Sequence, residues 1–152
     1  VNERDKLMEE RAGLEDLLDS EDLFSGDAAA MRVPGTAWIT IPMPPPEFDL
    51  DGWMTTIDRL GDGPWRRFRL THGGTVRDIP EHLAQLRTSM RAQVSWIQAT
   101  HADDPARGEA YRAMLHEAAA AHEVPEALFR AHVTPGLVEM NLSGVDRWAG
   151  QR

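Results

Sequence analysis

From residue 31 onward the apolar positions run in two rhythms, one of two residues and one of three to four. Ala37, Ile39, Ile41 and Met43 alternate with Trp38, Thr40 and Pro42, the period of a half-buried strand. Pro42 has no amide to donate, so this strand is expected at a sheet edge or to end there. "PMPPPE" continues it as a stiff, polyproline-like connector. Leu50, Trp53, Met54, Ile57 and Leu60 then share one helical face, with Asp49 or Asp51 placed to cap it and Gly61 to help close it. In "WRRFRL", Phe68 and Leu70 alternate with Arg67 and Arg69, which predicts a strand with one apolar and one cationic face. Near the end, Val138, Met140 and Leu142 alternate with Glu139 and Asn141, predicting a third strand, followed by an exposed tail carrying Trp148.

The longest apolar stripe is helical. Asp78 and Glu81 have the spacing of a capping box around Ile79-Pro80, and Leu83, Leu86, Met90, Val94 and Ile97 run behind it to a stop near His101. "ADDP" turns the chain, and Tyr111, Met114, Leu115, Ala118 and His122 mark the next helix. So short a turn forces the two into an antiparallel hairpin, with Leu86 and Leu115 buried. Pro125 opens a shorter helix bearing Leu128 and Phe129. The fold class this predicts is α+β: a small three-stranded sheet packed with an antiparallel helical hairpin and shorter helices.

Residues 1–30 read differently. Leu7, Leu14, Leu17 and Leu18 form a narrow stripe among charges, and "SGDAAA" reads as a linker. This segment carries ten acidic and three basic residues, net −7, while residues 31–152 carry 15 and 13, net −2, which sum to the chain's −9. The segment is expected to be an acidic helical appendage, or an over-extended start before a true beginning at Met31. Residues 31–152 form a single α+β domain on either reading.

Composition narrows the chemistry. The chain has 152 residues and no cysteine, which excludes disulfides, thiol nucleophiles and thiolate metal sites. No apolar run approaches the roughly 20 residues of a membrane-spanning helix, and a cytoplasmic location is expected. Fifteen arginines against one lysine point to a GC-rich, bacterial genome, and they make arginine number weak evidence for phosphate binding. A near-neutral domain on an acidic chain makes nucleic acid a poor partner.

The stretch "RFRLTHGGTVRDIPEH" carries the candidate chemistry. A glycine-rich loop before a helix start, flanked by Arg69 and Arg77, has the parts of an anion site, with Gly73 and Gly74 letting a ligand approach the backbone. It lacks the lysine and following hydroxyl of a P-loop. Its "HGG" is shared with esterase oxyanion loops of the α/β-hydrolase fold, but the G-x-S-x-G elbow of that fold is absent. The competing role of the glycines is a tight turn.

His116 and His122 are six residues apart, about 240° around a helix, so they lack the one-face spacing of a zinc site. The hairpin instead brings His82 and Glu81 toward His122 and Glu123, with His72 near, as an acid–base group. No metal and no cofactor is expected. "AAAAHEVPEALFRAHV" has helix-turn-helix rhythm but offers only Arg130 and His132 to DNA. Trp38 and Trp96 fall off the apolar faces of their elements and are candidates for a pocket or a dimer contact.

The function these features predict is that of a small binding or accessory protein, a homodimer holding a partner or a small anionic ligand. The alternative is a small metal-independent enzyme using His72 as acid or base, with Arg69 or Arg77 binding an anionic substrate. A helix-turn-helix DNA-binding protein is the second alternative.

Overall fold

The computed structural model describes residues 21–152, so the Leu7–Leu18 stripe lies outside the described residues. In chain order the elements are β1 (Asp22–Gly26), β2 (Met31–Arg32), β3 (Ile39–Thr40), α1 (Leu50–Asp62), β4 (Arg67–Leu70), β5 (Thr75–Val76), α2 (Ile79–Gln98), α3 (Arg107–Ala120), α4 (Glu126–His132) and α5 (Pro135–Ala149). The fold class is α+β, as the alternating rhythms predict.

The sheet has the order β1-β4-β5 and is mixed. Leu23 pairs with Phe68 in the parallel β1–β4 ladder, and Phe68 with Val76 in the antiparallel β4–β5 ladder. Phe68 and Val76 are fully buried, whereas Arg67 and Arg69 point from the other face, so the two-faced strand read from "WRRFRL" is present. A second, two-residue ladder joins β2 to β3.

The helical hairpin is antiparallel. Gln93 Oε1 accepts from the Tyr111 hydroxyl at 2.6 Å, and the Ile97 carbonyl accepts from Arg107 at 2.7 Å, a constant register along α2 and α3. Leu86 and Leu115 are both buried. α5 packs on both members of the pair and α1 packs on α2. Asp49 caps α1, accepting from the Asp51 and Gly52 amides.

Three expectations need correction. The strand predicted over Val138–Leu142 is the middle of α5. Thr134 caps that helix through the Leu137 amide, Pro135 occupies its first turn, and its buried positions are Leu137, Val138, Asn141, Gly144, Val145 and Trp148. That spacing is helical; the apparent alternation arises because Met140 and Leu142, which frame Asn141, are only half-buried. Trp148 is accordingly buried rather than on an exposed tail, with its indole N–H on Asp49 Oδ1 at 3.1 Å.

The third strand of the sheet comes instead from the segment read as appendage and linker. β1 lies within it, and Ala29 and Ala30 are completely buried. Residues 22–30 are thus part of the packed fold. A linker reading fails there because small alanines serve a close approach as well as they serve flexibility.

Finally, the segment from Trp38 to Met43 is buried on both faces except at Pro42, and only Ile39–Thr40 belongs to a backbone ladder. Its other hydrogen bonds go to helices. Gln85 of α2 donates to the Ala37 carbonyl and accepts from the Ile39 amide. Asn141 of α5 donates to the Ile41 carbonyl and accepts from the Met43 amide at 2.8 Å. Two side-chain amides thereby fill the place of a neighbouring strand. Gly144 completes the fit, because a Cβ there would lie 1.8 Å from the Met43 carbonyl oxygen.

Candidate functional site

"THGG" is the tip of the β4–β5 hairpin. Arg69 pairs with Thr75, and the Leu70 amide donates to the Gly74 carbonyl at 2.9 Å. Gly73 and Gly74 have φ of 102° and 79°, the left-handed region where a Cβ is costly. A Cβ on Gly73 would also stand 2.1 Å from the Arg32 carbonyl oxygen, and the His72 carbonyl accepts the Arg32 amide at 3.3 Å. The glycines therefore serve a tight turn pressed against β2.

The cations around this loop are largely engaged. Arg69 donates from Nε to Asp22 at 3.0 Å and from Nη1 to Thr75 Oγ1 at 2.7 Å. Arg67 donates to the other Asp22 oxygen at 2.6 Å. Burial works to raise the Asp22 pKa, but hydrogen bonds and charge from the two arginines outweigh it and hold the carboxyl below its usual range. Arg32 makes a two-pronged pair with Asp78 at 2.8 and 2.7 Å. That pair holds Asp78 down to about 2. It also explains why Asp78 makes no side-chain cap on α2, contrary to the capping-box expectation: its carboxylate is taken by the guanidinium. Arg77 and His72 are exposed at the surface, and no ion pair of Arg77 occurs among the described residues.

The three histidines considered for acid–base work have different surroundings. His72 is exposed on the hairpin, and His122 is exposed just beyond the end of α3. His82 is completely buried, with Nε2 2.7 Å from the Ala29 carbonyl oxygen. Burial lowers its pKa, and so does the nearby Arg32 charge; the bond to Ala29 and the charge of Asp78 oppose this. Among the described residues no group of three or more His, Asp or Glu side chains is placed to hold a metal ion.

The two tryptophans separate as well. Trp38 is a core residue, its ring 6.0 Å from that of Phe129, so it lines no open pocket or dimer face. It was misread because both faces of its segment are buried. Trp96 is half-buried, tilted against Tyr111 at 5.5 Å, and it borders an open groove of about 1190 Å³ along α3. Part of its lining is small or apolar, from exposed Ala106, Ala110 and Ala113 and half-buried Met114. The rest of the lining is charged or polar, with Glu109, Glu117, Arg112 and the His116–Glu126 pair. On the other flank of α3 a cleft of about 520 Å³ opens toward α5, floored by Val138 and Leu142 and sharing Glu109 and Arg112 with the groove.

Sequence reading missed the polar groups that order these helices. Arg107 is buried with every guanidinium nitrogen engaged: Asp146 accepts twice, the Ile97 carbonyl once and Thr100 Oγ1 once. Tyr111 bonds Gln93 and receives a bond from Asn141, and burial pushes its phenol above the ordinary range. The signal for Asn141 was available, a polar residue three and four positions after Val138 and Leu137, but the strand reading turned it outward. Against known proteins, the chain matches no family model, no curated protein and no solved structure.

Proposed function

We propose that this protein works by binding, and that the groove along α3 receives a helical segment of a partner protein. The groove itself carries the reading. At about 1190 Å³ it exceeds the roughly 300–1,000 Å³ of most small-molecule pockets, and it is broadly open to solvent. Ala106, Ala110 and Ala113 let a partner's backbone come close, while half-buried Trp96 and Met114 offer adaptable apolar anchors. Glu109 and Glu117 are exposed, and neither takes part in an ion pair among the described residues, so a partner helix with basic flanks is favoured. A second copy of this chain fits less well. Antiparallel self-docking about Ala113 would oppose Glu109 and Glu117, on a chain whose net charge is −9.

The anionic-ligand reading and the His72 enzyme reading draw less support, because Asp22, Asp78 and Thr75 already occupy Arg69 and its neighbours. DNA reading by α4 draws little: the helix has seven residues, and Arg130 is paired with Glu126.

Titrating a basic amphipathic helical peptide into the isotope-labelled protein tests the proposal by NMR. Shifts are expected at the Trp96 indole and the Ala110, Ala113 and Met114 amides, and Ala113→Arg should abolish them without changing the circular dichroism. No shift at millimolar peptide, or equal binding by the variant, would overturn it. A concentration-dependent dimer of the wild type, broken by the same variant, would assign the groove to a second copy.

A further inference from the structure

We propose that His82 is a pH-sensitive latch that holds β1 and its following turn on the fold while the ring is neutral and releases them when it is protonated. The ring is fully enclosed, and Nε2 lies 2.7 Å from the Ala29 carbonyl oxygen, so the neutral ring carries its proton on Nε2 and donates it there. Nδ1 is buried with no hydrogen-bond partner among the described residues. In that state Nδ1 is a weak unpaired acceptor. Protonation makes it an N–H with nothing to receive it and puts a full charge into an enclosed site.

The surroundings do not welcome that charge. Arg32 of β2 brings a guanidinium near the ring. Among the described residues Asp78 is the one carboxylate whose charge opposes this, and both its oxygens already accept from Arg32. His82 also sits in the first turn of α2, its amide bonded to the Asp78 carbonyl, where the helix end carries partial positive charge.

What the latch holds is local. Ala29 and Ala30 join β1 to β2 and have no exposed surface. Ala30 has φ of 61°, a left-handed conformation that an alanine keeps only while packing enforces it. β1 pairs with β4 alone among the described residues. Opening residues 21–32 therefore exposes the ring at far less cost than unfolding the helices.

The sign follows from the lowered folded pKa. The stabilisation is complete above the ordinary value of 6.5 and is lost as pH falls from there toward the folded-state value. Below that range the segment should open first.

Hydrogen exchange followed by mass spectrometry on the full chain, corrected for intrinsic rates, tests this at pH 7.5 and 5.5. Peptides covering residues 21–32 should lose protection roughly tenfold at the lower pH, the free-energy scale of one unit of pKa difference, while α2, α3 and α5 keep theirs. His82→Gln keeps an amide donor for Ala29 but does not titrate, and should remove the pH dependence of that segment. His72→Gln, at an exposed ring, should leave it intact. Equal protection at both pH values in the wild type, or an undiminished loss in His82→Gln, overturns the proposal. Should His82→Gln not fold, nitrogen shifts of the wild-type ring decide: a ring protonated at pH 6.5 with unchanged β1 amides also overturns it.

Discussion

Gly73 and Gly74 are adjacent and both left-handed, yet they face different surroundings, and that difference can be measured. A Cβ on Gly74 meets nothing within 4 Å, whereas one on Gly73 meets the Arg32 carbonyl. Gly74→Ala should cost about 1 kcal/mol, the conformational penalty alone. Gly73→Ala should cost at least about twice as much, because β2 must also move. Urea denaturation of the two variants checks the order; equal losses would show that β2 yields freely. Asn141 offers a second residue-scale test. Asn141→Ala leaves the Met43 amide and the Ile41 carbonyl unpaired in a buried place, for a loss of about 3 kcal/mol or more in urea. What sequence could not show at this scale was who partners whom. Asp78 carried the signature of a cap, and Arg69 and Arg77 that of an anion grip. The partners that claim Asp78 and Arg69 are Arg32 and Asp22, both more than 40 residues away in the chain.

Elements were legible where a long stripe repeated at one period. α1, α2 and α3 were readable from their apolar spacing, and α4 from Pro125, although in α3 the buried positions are Arg107, Tyr111, Leu115 and Ala119, while Ala118 and His122 are exposed. α5 was not, since its half-buried Met140 and Leu142 mimic alternation over five residues. β1 was invisible for a different reason. Only Leu23 points inward clearly, Phe24 is 81% exposed, and its partner strand is parallel and distant in sequence. Removing residues 1–30 would strip β1 from β4, leave Arg67 and Arg69 without Asp22, and empty the sites of Ala29 and Ala30. Thermal denaturation should show a fall of about 5 °C or more, since roughly 1 kcal/mol moves a domain of this size by about 2–4 °C. An unchanged midpoint would mean that β1 adds nothing to the fold.

For the molecule as a whole, acid should act in two separate ranges. Below the His82 range lies that of Asp78, whose carboxyl the Arg32 hydrogen bonds lower from 3.8 to about 2. Its contribution is complete above 3.8 and disappears as pH falls toward 2. The Asp78 side chain is 45% exposed, so solvent screening keeps the effect modest. Asp78→Asn should reduce the fall of urea midpoints between pH 4 and 2 and, by removing the carboxylate that offsets the Arg32 charge at His82, deepen the loss near pH 6; a variant that tracks the wild type throughout would show that the pair contributes no stability. The amides that Gln85 and Asn141 lend to residues 37–43 have an effect on how copies of the molecule meet. An extended segment with free N–H and C=O groups along one side is a template on which another chain can add itself. Here that side is closed by groups from two helices, which cannot pass the pattern on to a further strand. Loosening either helix would turn this interior ribbon into a seed, and aggregation through residues 37–43 would precede loss of the helices.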